Sequence, residues 1–88
     1  MPLIEFYGKE CPHCVAMEPI IEKLIEEGVK IERHETWHDK KNEALRKKMD
    51  KGFCGGVPFF INTETGKWIC GGSDEKTLRA LAKGECTD

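Results

Sequence analysis

The amino-acid sequence predicts an α/β fold with the element order β-α-β-α-β-β-α, and three observations carry that reading. The apolar and aromatic run Leu3-Ile4-Glu5-Phe6-Tyr7 stops at Gly8, as a short buried strand does. Apolar residues at helical spacing follow from Pro12 onward. Two further apolar runs, 57–62 and 67–70, flank the turn residues Thr63-Glu64-Thr65-Gly66 as the arms of a hairpin.

Each element has its own local reason. Pro12 suits the first helical position, where a missing N–H is no loss, and Val15, Ala16, Met17, Ile20, Ile21, Leu24 and Ile25 form the helix's apolar stripe, which ends near Gly28. Pro19 lies inside that helix and removes one backbone hydrogen bond, so a kink is expected there. Residues 29–36 alternate Val29 and Ile31 with charged residues, the pattern of a strand near a sheet edge. Asp39 can cap a second helix running to about Lys51, with Ala44, Leu45 and Met49 as its apolar anchors. Its Lys40, Lys41, Arg46, Lys47, Lys48 and Lys51 read as a solvated face. Ser73 or Asp74 caps a last helix through Leu78, Leu81 and Ala82 to Gly84, and a polar tail covers about 85–88.

Eighty-eight residues with 39% hydrophobic content suit one domain, 1–88. The balance of 14 basic and 16 acidic residues makes no field that would gather nucleic acid or an anionic membrane surface. No apolar run reaches the roughly 18 residues of a membrane span, and residues 1–5 lack a basic segment followed by an apolar one. A cytoplasmic monomer is the expectation. Five cysteines cannot all pair with one another, which favours reactive or simply buried thiols over a secreted disulfide framework.

The chemistry sits in Cys11-Pro12-His13-Cys14, two thiols three residues apart at a strand-to-helix junction. Thiols so spaced on a first helical turn can close a disulfide with little backbone movement. Cys11 stands beside unsatisfied N–H groups at the positive end of the helix dipole, so it is the expected nucleophile: accessible and readily ionised, with Cys14 shielded as its resolving partner. His13 between them adds positive charge near the thiolate and should make the disulfide more oxidising. A Cys-x-x-Cys can also be half of a metal site. A binding module in which Cys11, Cys14 and a further thiol or His13 hold zinc, copper or an iron–sulfur cluster is the alternative of another class. No second Cys-x-x-Cys and no His pair at ligand spacing follows, so no metal ligands are assigned.

The run Glu5-Phe6-Tyr7-Gly8-Lys9-Glu10-Cys11-Pro12-His13-Cys14, with Pro19 and Gly56-Val57-Pro58, resembles the thioredoxin superfamily along almost the whole chain. The Cys-Pro-His-Cys tetrad and its lead-in are most similar to the bacterial disulfide-introducing oxidases. The length and element order resemble glutaredoxins and minimal archaeal thioredoxins, which lack the oxidases' inserted helical domain. Two departures stand out: no Trp precedes Cys11, and Gly56 replaces the Thr usual in glutaredoxins.

The resemblance implies a thioredoxin-like fold of glutaredoxin size, with a central four-stranded mixed sheet and flanking helices. It implies a cis Val57–Pro58 bond lying against the Cys11/Cys14 pair, with Pro12 and the Val57 backbone meeting an extended substrate segment. It makes Glu5 the buried acid that takes a proton from Cys14; a partly exposed residue paired with a lysine is the other reading. In glutaredoxins the corner matching Gly71-Gly72-Ser73-Asp74 holds the γ-glutamyl carboxylate of glutathione, whereas the residues alone suggest a helix cap.

The function expected is exchange of disulfides with protein substrates through Cys11 and Cys14, with no metal or organic cofactor. A reductase or glutathione would recycle it, and a glutathione-dependent glutaredoxin is the enzyme alternative. The tetrad suggests an oxidant, while a chain kept in a reducing cytosol would be a reductant. Cys54, in the loop before Pro58, has three readings: a third redox thiol that relays a disulfide outward, a third metal ligand, or an inert loop cysteine. Cys70 reads as a small buried hydrophobe and Cys86 as a free thiol in the tail. His34, Trp37, His38 and Trp68 read as surface or packing residues.

Overall fold

A computed structural model describes residues 3–84. In chain order the elements are β1 (Leu3–Tyr7), α1 (Pro12–Glu26), β2 (Ile31–Glu35), α2 (Lys40–Asp50), β3 (Phe59–Asn62), β4 (Trp68–Cys70) and α3 (Glu75–Lys83). They form a mixed four-stranded sheet of order β2-β1-β3-β4. β1 pairs parallel with β2 and antiparallel with β3, and β4 closes the hairpin on β3.

Alternation along the central strands divides the core. Leu3 and Phe60 face one side of the sheet, where Met17, Ile21 and Leu24 of α1 and Leu78, Leu81 and Ala82 of α3 cover them. Ile4, Phe6, Phe59 and Ile61 face the other side, under Leu45 and Met49 of α2. β2 and β4 are the sheet edges, which is why only the central strands are buried along nearly their whole length.

The expected order and caps are present. Asp39 caps α2 through the N–H groups of Lys41 and Asn42, and Asp74 rather than Ser73 caps α3 through that of Thr77. The boundaries differ where local hydrogen bonds compete. β2 starts at Ile31 because the Val29 N–H still closes the end of α1 on the Leu24 carbonyl at 3.0 Å. α1 runs unbroken through Pro19. β3 starts at Phe59, after a cis Val57–Pro58 bond whose proline has no N–H for a ladder.

Two readings of α2 are corrected. Ala44 is exposed and anchors nothing. Arg46 is buried rather than solvated, because its guanidinium lies between Glu43 (2.8 Å) and Asp50 (2.9 Å). No helix among the described residues is long and apolar enough to cross a membrane.

Candidate active site

The turn from β1 into α1 carries both thiols. It is braced from the end of β2, where the Glu35 carboxylate accepts N–H bonds from Lys9 (2.9 Å), Trp37 (3.1 Å) and His38 (2.8 Å). The Trp37 ring lies so close over Gly8 that a Cβ there would fall 2.4 Å from its Cδ2. Only glycine leaves room for that lid. His38 also meets Glu10 at 2.7 Å on the surface.

Cys11 is the N-cap of α1. Its Sγ accepts the Cys14 N–H at 3.4 Å and lies 4.0 Å from the Val57 carbonyl oxygen. The expected accessibility is therefore corrected. Cys11 is only 4% exposed, because its side chain folds back over the first turn and against the segment that carries Val57. Cys14 is shielded as expected, and its Sγ accepts the Gly8 N–H at 3.5 Å. Burial first, then the neighbouring Cys11 thiol and, more weakly, the Glu5 charge push the Cys14 pKa up to about 12. Both cysteines are free thiols. Pro12 and His13, on the same turn, are exposed.

Glu5 is fully buried in β1, on the α1 side of the sheet. Its Oε1 accepts Arg33 Nε at 2.7 Å from the register partner on β2, and its Oε2 has no partner among the described residues. Arg33 also pairs with Glu18 of α1 and lies 4.6 Å over the Tyr7 ring. Burial raises the Glu5 pKa against the opposing pull of Arg33. The partner is thus an arginine rather than a lysine, and the carboxylate is not partly exposed. A cleft of about 420 Å³ lined by Tyr7, Gly8, Lys9, Cys14, Val15, Glu18 and Glu35 opens beside this network.

Val57–Pro58 is cis, and Pro58 is fully buried with its carbonyl accepting the Gly71 N–H at 2.8 Å. The corner after β4 leans on α1: the Ser73 N–H donates to Met17 Sδ at 3.4 Å, and a Cβ on Gly72 would sit 4.0 Å from that sulfur. Asp74 holds the start of α3 with its own carboxylate, accepting the Thr77 N–H at 2.8 Å, which is the helix-cap arrangement.

Cys54 and Cys70 form a disulfide with Cα atoms 5.4 Å apart. This corrects three readings: Cys54 is neither a free inert thiol nor a third ligand beside Cys11 and Cys14, and Cys70 is exposed on an edge strand rather than a buried hydrophobe. Cys86 lies outside the described residues. Among the described residues, no three His, Cys, Asp or Glu side chains gather as a metal site.

Three features escaped the sequence reading: Arg33 as the partner of Glu5, Trp37 as the lid on Gly8, and Asp50. Asp50, 2% exposed, accepts the N–H groups of Cys54 (2.5 Å) and Gly55 (2.6 Å) and so ties down the loop before Pro58. Burial alone would raise its pKa, but those two N–H groups and the Arg46 charge outweigh it and hold the carboxyl below its ordinary value. Arg46 and Asp50 stand at i,i+4 spacing, the one signal that pointed to them.

No protein-family model and no curated protein matches the sequence. Solved structures do match in shape. A glutaredoxin from Archaeoglobus fulgidus superposes with a TM-score of 0.67 at 20% identity, covering 93% of this chain and 86% of that one. A mutant of a thioredoxin-like protein gives 0.65 at 20% identity, with 94% and 96% covered. A buckwheat glutaredoxin in complex with glutathione gives 0.60 at 19% identity, with 96% and 71% covered. The chain therefore has the thioredoxin-like fold, the α/β class with a four-stranded mixed sheet.

Proposed function

We propose that this protein is a thiol-disulfide oxidoreductase that exchanges disulfides with protein substrates through Cys11 and Cys14. The observation that carries the reading is the placement of Cys11 Sγ, which caps α1 at the Cys14 N–H and lies 4.0 Å from the carbonyl of Val57, the residue before a cis-proline. A sulfur held there has a helix N-terminus to stabilise a thiolate and a backbone segment beside it against which a peptide can align. Val57 N–H makes no hydrogen bond among the described residues, which leaves it for such a peptide.

In the reductive direction the Cys11 thiolate attacks a substrate disulfide, forming one new S–S bond and expelling the substrate's other sulfur as a thiolate. Cys14 is held as a thiol well above neutral pH, so it needs a base before it can attack. Glu5, with Oε2 unpartnered and its pKa raised by burial, is the acceptor proposed. Cys14 then attacks Cys11 Sγ, releases the second substrate thiolate and closes the Cys11–Cys14 disulfide, so two electrons have passed to the substrate. These steps need no metal or organic cofactor. A reductase or glutathione, the ligand of the buckwheat structure, would reopen the disulfide. Run backward, the same steps oxidise a substrate dithiol.

Trapping tests the assignment. Cys14→Ser incubated with a peptide disulfide should accumulate a mixed disulfide on Cys11, detected by intact mass, and Cys11→Ser should form none. Exchange by Cys11→Ser at the parental rate would overturn it.

A further inference from the structure

We propose that the Cys54–Cys70 disulfide is a second redox site, a latch that holds the Val57-Pro58 segment over Cys11 when closed and frees it when an external thiol opens it. The inference deepens the exchange reading and rests on it for its functional meaning.

Residues 51–58 leave α2 through Lys51, whose φ is 54°, and form no regular structure before β3. Asp50 ties the first half of this segment through the Cys54 and Gly55 N–H groups. The Pro58 carbonyl ties its end to Gly71. At the first of those anchors the disulfide adds a covalent link across to β4, and Phe53 stacked on Trp68, ring centroids 4.9 Å apart, runs alongside it. Gly55, with a φ of 79° and open space where a Cβ would be, follows Cys54 and can act as a hinge.

The two sulfur sites flank the proline. Cys54 Sγ lies 4.0 Å from the Pro58 carbonyl oxygen, and Cys11 Sγ lies 4.0 Å from that of Val57. What the disulfide holds is thus the stretch of backbone that covers the nucleophile. Cys70 is exposed and Cys54 half-buried, so an incoming thiolate reaches the Cys70 sulfur and expels Cys54 as the leaving thiolate. A second thiol displaces Cys70, giving two protein thiols and one molecule of the reagent's disulfide. A small thiol such as glutathione is the reagent class this exposure admits.

The full chain is titrated with reduced glutathione under native conditions. Alkylation and mass spectrometry follow Cys54, amide hydrogen exchange follows residues 55–57, and iodoacetamide follows Cys11. Opening of Cys54–Cys70 should speed exchange at 55–57 and alkylation of Cys11 at least fivefold, and Cys54→Ser/Cys70→Ser should show the fast rates without any thiol. The latch is overturned if glutathione leaves Cys54 unalkylated in the folded protein, or if the disulfide opens and both rates stay as they were. Should the double variant not fold, the titration of the parent decides alone. A parent whose Cys11 is unmasked on opening, yet never forms a mixed disulfide with a peptide, would retain the latch and lose the exchange reading.

Discussion

The two cysteine pairs are built on opposite principles. Cys11 and Cys14 are close in sequence, nearly sealed from solvent and reduced; the Cys14 N–H and the Gly8 N–H are aimed at their sulfurs, and Cys14 feels the charge of the buried Glu5. Cys54 and Cys70 are 16 residues apart and joined, with Cys70 exposed, and their surroundings are backbone anchors and stacked aromatic rings. A pair built for exchange needs one sulfur activated and the other held protonated until its turn. A pair built as a tether needs only to join two chain segments that would otherwise drift apart.

The largest difference should appear in stability. Closing a loop of about 15 residues contributes roughly 3 kcal/mol through the unfolded chain, so Cys54→Ser/Cys70→Ser should lower the melting temperature by more than 10 °C or so for a domain of this size. Cys11→Ser/Cys14→Ser removes no cross-link and should cost about 1 kcal/mol. Thermal unfolding without reductant measures both. Equal losses would erase the distinction between tether and exchange pair.

That contrast also marks what the sequence made legible. Strands and helices followed from apolar spacing, and the cap Asp39, with Ser73 or Asp74 for the last helix, followed from residue type, because both are local. The tetrad was legible for the same reason. The Cys54–Cys70 link was not, since it requires the edge strand β4 to lie beside a loop that has no periodicity of its own. Arg33 was hidden by register: residues 28 apart meet because parallel pairing of β1 with β2 places Glu5 opposite it. Arg46 looked solvated because a run of lysines surrounds it, and only the fold shows that the face it shares with Asp50 points inward.

A smaller effect is expected at Glu5 and sharpens the exchange side of the comparison. Glu5→Gln should slow the release of mixed disulfides about a hundredfold at neutral pH, the low end of what general base catalysis contributes, and leave the first attack by Cys11 largely unchanged. Stopped-flow of the two steps separates them. The substitution has a second signature. Because the folded-state pKa of Glu5 is raised, the native protein retains a proton that the unfolded chain has lost, so stability falls as pH rises from the ordinary 4.5 through the folded value. Glu5→Gln should flatten that decline, and an unaltered stability profile would mean that the carboxyl is not held protonated by burial.

The smallest effect is expected at Arg33, a positioning residue that acts only through Glu5. Its charge and its Nε bond to Oε1 both oppose burial and help Glu5 ionise. Removing them in Arg33→Gln should leave the carboxyl protonated to higher pH, so the acid limb of the release step moves upward. At neutral pH the loss should be only roughly a few-fold, since the arginine side chain is 24% exposed and its charge is partly screened. The first attack on a substrate disulfide should not change. A merely structural Arg33 would lower stability and leave the pH midpoint of release where it was; an upward shift with Arg33→Lys intermediate between variant and parent is the result that assigns it to the proton path of Cys14.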